Sequence, residues 1–134
     1  VVANADGNTT SVFLGNGDGT FRSRTDLSNG GSALTYMLAL ADVNNDNNLD
    51  IIASNLGFSS MGVFLGQGNG AFSDQISSAT GIGSVPTGSA VADFNGDGKA
   101  DLAVADNENS RLLFMTGYGN GSFVVSGTYS TGNN

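Results

Sequence analysis

Short apolar runs alternate along the chain with polar, glycine-rich segments. Two matching sets of four runs follow one another: Ala39–Ala41, Leu49–Ser54, Met61–Leu65 and Ala71–Ile76, then Ser89–Ala92, Ala100–Ala105, Leu112–Met115 and Ser122–Val125. Short runs rich in Val, Ile, Leu and Phe and bounded by Gly, Asn, Asp or Ser predict β-strands joined by turns. The 21 glycines also argue against long helices, because glycine is costly inside a helix.

Two motifs recur with the same spacing of 51 residues. Glycine-rich octets (LGNGDGTF, LGQGNGAF, TGYGNGSF) begin at Leu14, Leu65 and Thr116, and acidic nonapeptides (DVNNDNNLD, DFNGDGKAD) begin at Asp42 and Asp93. Repeats of about this length are typical of propeller blades, and four short antiparallel strands make one blade. The predicted fold is therefore all-β and built from four-stranded antiparallel propeller blades.

The phase of the repeat divides the chain. It begins in the second strand of one period and ends before the first strand of another. We therefore expect a single repeat region, 1–134, holding a partial blade (1–32) and two full blades (33–83 and 84–134). Propellers close with roughly four to eight blades, so this chain is expected either to be part of a longer propeller or to be completed by oligomerisation.

The composition excludes several functions. The net charge is −8, with four basic residues, so neither a nucleic acid nor an anionic membrane surface is an expected partner. The chain has no histidine and no cysteine, which removes the commonest general base and the commonest zinc ligands. No apolar run is long enough to insert into a membrane.

The acidic nonapeptides carry the candidate chemistry. Side-chain oxygens recur at positions one, three, five and nine, and position seven would offer its backbone carbonyl. The candidate metal ligands are Asp42, Asn44, Asp46, Asn48 and Asp50 in the first loop, and Asp93, Asn95, Asp97, Lys99 and Asp101 in the second. All of these donors are hard oxygens, which suit Ca²⁺ in a cage of six to eight ligands. Two Ca²⁺ sites are therefore expected.

Three other interpretations of these motifs were compared with calcium binding. An EF-hand needs Glu at position twelve and flanking helices, but Ala53 and Val104 stand at that position between strand-like segments. A polar surface turn accounts for Asp and Asn, but not for the nine-residue phasing found twice. A phosphate-binding loop in the octets is disfavoured because no helix follows them.

The same residues resemble the FG-GAP, or VCBS, repeat family, best known from the propeller of integrin α-subunits. The resemblance lies in ADVNNDNNLDII at 41–52, ADFNGDGKADLAV at 92–104 and the three octets. It implies Ca²⁺ binding by the ten residues named above and an extracellular, secreted or cell-surface location. Asn47 stands where the family usually has Gly, and Thr116 stands where it usually has Leu.

The expected function is that of a calcium-binding structural or adhesion module. It would bind a protein or glycan, or associate with itself head to tail into a ring or filament through open blade edges. One alternative is a calcium-dependent lectin, in which exposed aromatic residues stack on sugars: Tyr36, Phe58, Tyr118 and Tyr129. The other is a non-catalytic propeller segment of a larger secreted protein or enzyme.

Two further sets of residues complete the candidate sites. The chain is not expected to be an enzyme, since Asp106 and Glu108 form the only acidic pair outside the loops and lie in a predicted turn. The sequons at Asn8 and Asn120 would accept glycans in a eukaryotic host.

Overall fold

Eleven strands and one short 3₁₀ turn, joined by loops, lie within residues 1–132, the part of the chain that this computed structural model describes. The last two residues of the predicted blade 84–134 lie outside it. The strands are β1 (Val2–Asn4), β2 (Thr9–Val12), β3 (Thr25–Ser28), β4 (Thr35–Ala41), β5 (Asp50–Asn55), β6 (Ser60–Phe64), β7 (Ile76–Ala79), β8 (Pro86–Ala92), β9 (Asp101–Asp106), β10 (Arg111–Gly117) and β11 (Phe123–Ser130). The 3₁₀ turn, Leu56–Phe58, joins β5 to β6.

The strands form three antiparallel sheets, each a simple meander. Blade A has the order β1-β2-β3, blade B the order β4-β5-β6-β7, and blade C the order β8-β9-β10-β11. Every pairing is antiparallel, and within each blade strands consecutive in sequence pair with one another. The predicted all-β fold of propeller-type blades is confirmed, with two four-stranded sheets and one three-stranded sheet in the described residues.

The fourth strand of blade B begins later than the sequence pattern predicts. The predicted run was Ala71–Ile76, but only an isolated bridge joins Gly66 to Phe72, and β7 begins at Ile76. Blade A has the same interruption, since an isolated bridge joins Gly15 to Phe21 and β3 begins at Thr25, 51 residues before Ile76. In blade B the Ser73 Oγ accepts the Leu65 N–H at 3.0 Å, but Arg22 stands at the equivalent position of blade A. The late start therefore belongs to the repeat rather than to the Ser73 side chain.

The core lies between the blades. Nine buried apolar residues fill the boundary between blades B and C: Val43, Ile52, Met61, Val63, Leu102, Val104, Leu113, Met115 and Phe123. Only Val12, Ile51 and Phe64 are buried in the cluster between blades A and B. Because alternate side chains of a strand point to opposite faces, neighbours such as Ile51 and Ile52 pack against different blades.

In a stack of blades, the aromatic residue that closes each octet (Phe21, Phe72 and Phe123) is expected to pack between neighbouring blades. The structure places Phe123 in the boundary between blades B and C, and packs Phe72 against the cluster between blades A and B. Phe21 differs, because it is 66% exposed and its ring meets that of Phe13 edge-on, at 6.3 Å between centroids. The expectation therefore fails for the first octet within residues 1–132.

Candidate functional site

The acidic nonapeptides and the octets lie at the same end of the blades. Loop 1 (42–50) joins β4 to β5, and loop 2 (93–101) joins β8 to β9. The second and third octets join β6 to β7 and β10 to β11. In an antiparallel meander alternate connections share one end of the sheet, so each acidic loop stands beside the octet of its own blade.

Loop 1 is curled around its own backbone N–H groups. Asp42 accepts two of them, from Asp46 at 3.2 Å and from Asn47 at 2.8 Å. Asn44 Oδ1 also accepts the Asp46 N–H, at 3.2 Å. The side-chain oxygens at positions one and three therefore lie within hydrogen-bonding distance of the same nitrogen, while Asn44 Nδ2 donates to the Asp46 carboxylate at position five at 3.0 Å.

Loop 2 has the same curl. Asp93 accepts the N–H groups of Gly96, Asp97 and Gly98 at 2.7, 3.1 and 2.9 Å. Asn95 Oδ1 accepts the Asp97 N–H at 2.8 Å, as Asn44 does for Asp46 in loop 1. Two loops of different sequence thus share one pattern of hydrogen bonds, which follows the shared spacing of Asp and Asn.

The backbone enters the left-handed region twice in each loop. Position six was expected to do so, and φ is 65° at Asn47 and 83° at Gly98. Position four does so as well, with φ of 60° at Asn45 and 80° at Gly96. Asn and Gly are the residues that tolerate this conformation best, so each loop places them where its curl requires them.

Position nine has a structural role that the sequence did not reveal. Asp50 and Asp101 have no exposed surface, and both join their loop to the end of the third strand of the blade. Asp50 accepts the Val43 and Gly66 N–H groups at 2.8 Å each, and Asp101 accepts those of Phe94 and Gly117 at 3.1 and 2.9 Å. Each buried carboxylate therefore ties the acidic loop to its octet.

The second residue of each octet completes that joint. A Cβ on Gly66 would overlap the Leu49 carbonyl oxygen, and one on Gly117 would overlap that of Ala100. These glycines have ordinary φ angles, so glycine is required here for close approach rather than for a left-handed backbone. The regular recurrence of this glycine 16 residues after position nine is the signal of this joint in the sequence.

The side chains at position seven also lie against the octet. Asn48 lies over Gly68, and the Lys99 chain lies over Gly119 at 3.3 Å from a Cβ placed there. Lys99 Nζ reaches the Asp97 carboxylate at 3.9 Å, an exposed ion pair that offsets part of the negative charge of loop 2. Loop 1 contains no basic residue.

The surroundings of the loop carboxyl groups shift their pKa values in different directions. The hydrogen bond from Asn44 lowers the pKa of Asp46, and the Gly98 N–H lowers the pKa of Asp93. Burial raises the pKa of Asp50, and the nearby carboxylates of Asp46 and Asp42 raise it slightly further, against the N–H groups of Val43 and Gly66. A bound cation would favour the ionised form of Asp50, since opposite charge lowers the pKa of a carboxyl group.

The donor chemistry fits Ca²⁺. Each loop offers three carboxylates and one amide oxygen, which are the hard donors that Ca²⁺ takes. In residues 1–132 no group of three or more His, Cys, Asp or Glu side chains lies close enough together to hold a metal ion as it stands. In each loop the carboxylate at position one instead accepts N–H groups of the same loop. Carboxylate oxygens can accept from more than one partner, so these N–H contacts would orient the ligands around an ion.

The remaining candidate residues do not gather at one place. Tyr36, Phe58, Tyr118 and Tyr129 are all half-exposed or more, but Tyr118 lies in the third octet and the others lie towards the opposite end of the blades. Asn120 is exposed, whereas Oδ1 of Asn8 accepts the Leu34 N–H at 3.2 Å. These positions form no common pocket.

Asp106 has a structural environment. It is buried, and its carboxylate accepts hydrogen bonds from the Val85 N–H and from the side chains of Asn109 and Arg111, all at 2.8 to 2.9 Å. Burial by itself raises the pKa of Asp106, but these hydrogen bonds outweigh it and lower the value. The oxygens of Asp106 are therefore used by the turn between β9 and β10.

Comparison with known proteins places these features in a family. A family model described as an FG-GAP-like repeat matches residues 1–53 and 42–104, and one described as an FG-GAP repeat matches residues 85–126. No curated protein and no solved structure gives a significant match. No helix in the described residues is long and apolar enough to cross a bilayer.

Proposed function

This chain belongs to the FG-GAP repeat family, and from that premise we propose that it is an extracellular, calcium-binding structural module with no catalytic role of its own. Ca²⁺ would be held by loops 1 and 2, one ion in each. The observation that supports this most strongly is the shared curl of the two loops, in which Asp42 and Asp93 each accept the N–H groups of positions five and six.

Calcium would stabilise the module through the joint between loop and octet. Each ion would neutralise carboxylates that otherwise repel one another across one loop. Asp50 and Asp101 would transmit that effect to the octets, because each already accepts the N–H of Gly66 or Gly117. Extracellular modules bind Ca²⁺ with dissociation constants of roughly 10⁻⁴–10⁻³ M, which suffices outside the cell.

The module would act by presenting a rigid surface to a protein or glycan. A lectin remains a second proposal of lower rank, because its four candidate aromatic residues are exposed but lie at different ends of the blades. A glycan array read with calcium and with EDTA would separate the two: calcium-dependent glycan binding would support the lectin, and its absence would leave a module that binds protein.

Calcium titration of the wild type and of loop variants tests the proposal. Asp46→Asn and Asp97→Asn are the best variants, because both side chains are exposed and neither makes the buried contacts of Asp50 and Asp101. Asp74→Asn is the matched control, an exposed carboxylate outside both loops. We expect two ions per wild-type chain, one in each loop variant and two in the control, measured by calorimetry.

The thermal stability of the protein should increase with the number of loops that hold Ca²⁺. A ligand at ten times its Kd stabilises the folded state by about 1.4 kcal/mol per site, so thermal denaturation with calcium in place of EDTA should raise the Tm of the wild type and of the control. Each single variant should lose about half of that gain. An equal Tm with and without calcium for the wild type would overturn the proposal.

A further inference from the structure

The outer faces of blades A and C expose apolar residues at positions that are buried elsewhere in the chain. On blade A, Phe13 is 38% exposed, yet Phe64, 51 residues later at the same place in blade B, is 1% exposed and packs against blade A. Val2 is 49% exposed, whereas Ala53, its equivalent, has no exposed surface. We call Val2, Phe13 and Phe21 the front face.

Blade C shows the same contrast on its other side. Phe94 is 46% exposed, while Val43, its equivalent in blade B, is 1% exposed against blade C. Phe114 and Leu112 are half-buried, although Val63 and Met61 at the corresponding places have no exposed surface. Phe94 and Phe114 stack edge-on at 5.3 Å between centroids. We call Phe94, Leu112 and Phe114 the back face.

These two faces correspond to the two sides of the boundary between blades B and C. The front face matches the side that blade C turns to blade B, where Val104, Met115 and Phe123 are buried. The back face matches the side that blade B turns to blade C. We propose that the back face of one molecule binds the front face of a second copy of this chain, a heterologous contact that repeats the boundary between blades B and C.

The packing of the octets supports the same partner. A Cβ on Gly70 would overlap the Leu14 side chain, and one on Gly121 would lie 3.0 Å from Leu65, so the last glycine of an octet rests on the first residue of the preceding octet. Gly19, the equivalent glycine of the first octet, has nothing within 4 Å of such a Cβ. In the proposed contact it would rest on Thr116 of the other copy.

A front-to-back contact predicts a ring or a filament rather than a two-fold dimer. A heterologous interface closes into a ring if the rotation permits and otherwise extends. Two copies would supply six sheets, within the roughly four to eight blades of closed propellers. The inference rests on the proposed function in that it names the partner of that module.

The test is complementation between face variants. Phe13→Asp removes the front face, Phe114→Asp removes the back face, and Phe58→Asp changes a 50% exposed aromatic that belongs to neither face. By light scattering, with calcium and with EDTA, we expect the wild type and Phe58→Asp to self-associate. Each face variant alone should be monomeric, with association weakened about ten-fold or more.

An equimolar mixture of the two face variants should form a dimer, because each keeps the face that the other lacks. A monomeric wild type at about 100 µM, or a Phe13→Asp variant that still dimerises with itself, would overturn the proposal. If Phe114→Asp fails to fold by circular dichroism, Phe94→Ser replaces it. If the wild type binds calcium but stays monomeric, the proposed function stands and the self-association falls. If the wild type self-associates but does not respond to calcium, the self-association stands and the proposed function falls.

Discussion

A single glycine in each octet determines whether the acidic loop can lie against it. Gly66 and Gly117 face the carbonyl oxygens of Leu49 and Ala100, while Gly15, the equivalent residue of the first octet, has nothing within 4 Å of a Cβ. None of these three has a positive φ. The same residue type at the same motif position is thus under different constraints, depending on whether an acidic loop stands beside it.

Alanine should be costly where the glycine faces a carbonyl oxygen and tolerated where it does not. Gly66→Ala or Gly117→Ala should destabilise the fold by about 1–3 kcal/mol, because the new methyl group forces the loop backbone away. Gly15→Ala should change stability by less than about 0.5 kcal/mol. Urea denaturation of the three variants measures this, and equal losses at all three positions would contradict the role of the carbonyl contact.

The β-hairpin turns at the other end of the blades repeat a left-handed residue. Asn8, Ser59 and Ser110 stand 51 residues apart, with φ of 51°, 46° and 45°. The Ser59 hydroxyl donates to the Ser84 carbonyl at 2.6 Å, whereas no hydrogen bond of the Ser110 side chain is found within residues 1–132. Serine is less suited than glycine to this conformation, so its cost is uncompensated at Ser110.

Ser110→Gly should therefore stabilise the protein by about 0.5–1 kcal/mol. Ser59→Gly is the matched comparison, and it should gain less or lose stability because it also removes the bond to Ser84. Thermal denaturation in calcium gives both values. A larger gain at Ser59 than at Ser110 would show that strain, rather than the hydroxyl contact, decides the outcome.

At the scale of strands and turns, the sequence predicted the periodic parts well. Runs such as Leu49–Ser54 and Ala100–Ala105 became β5 and β9 within one residue. Both strands bury apolar residues in the core, β5 on both of its faces and β9 through Leu102 and Val104. The late start of β7 recurs at β3 of blade A, so it belongs to the repeat, but the predicted run Ala71–Ile76 did not reveal it. The backbone ladder is interrupted after Phe72 although the predicted run continues to Ile76.

The shape of the candidate loops was predicted only in part. Asn47 and Gly98 predict the left-handed backbone at position six, but the sequence did not reveal the left-handed residues at position four or the burial of Asp50 and Asp101. The role of Asp50 and Asp101 depends on contacts with the octet, which lies distant in sequence. Ligand spacing is local information, whereas the fixing of a loop to its neighbour is tertiary.

The turn between β9 and β10 contains a buried ion pair that should make stability depend on pH. Arg111 Nε donates to Asp106 at 2.8 Å, and the Asp106 side chain has no exposed surface. Because the pKa of Asp106 lies below its ordinary value of 3.8, this carboxylate stabilises the fold fully above that value. The stabilisation is lost as the pH falls through the lower folded-state pKa.

Arg111→Gln should cost about 3 kcal/mol at pH 7, because it leaves a buried carboxylate without its cation, and the cost should shrink near pH 3. Arg24→Gln is the control, since Arg24 and Asp26 form an exposed pair at 3.0 Å that is worth at most about 1 kcal/mol. Urea denaturation across this pH range measures both. A cost that is the same at both pH values would contradict the role of the ionised carboxylate.

At the scale of the whole molecule, the two boundaries between blades are built differently. Nine buried apolar residues join blades B and C, and three join blades A and B. The boundary between A and B adds a buried hydrogen-bond chain: Thr10 donates to Asn29 at 3.1 Å, Asn29 to Thr35 at 2.7 Å, and Thr35 to Asn55 at 2.8 Å. Blade A is therefore held to blade B by a smaller apolar cluster together with a buried polar chain.

The position of Asn29 permits a matched test of that chain. Thr80 is its equivalent in blade B, and the buried Thr80 hydroxyl finds no partner among the described residues. Asn29→Ala should lower hydrogen-exchange protection in β1–β3 by about ten-fold or more while β9 and β10 keep theirs, because blade A can open separately. Thr80→Val, which removes an unpartnered hydroxyl, should leave protection equal or higher everywhere. If Asn29→Ala instead lowers hydrogen-exchange protection equally in all three blades, the two boundaries open together. The apolar boundary between B and C would then be no more stable to local opening than the boundary between A and B.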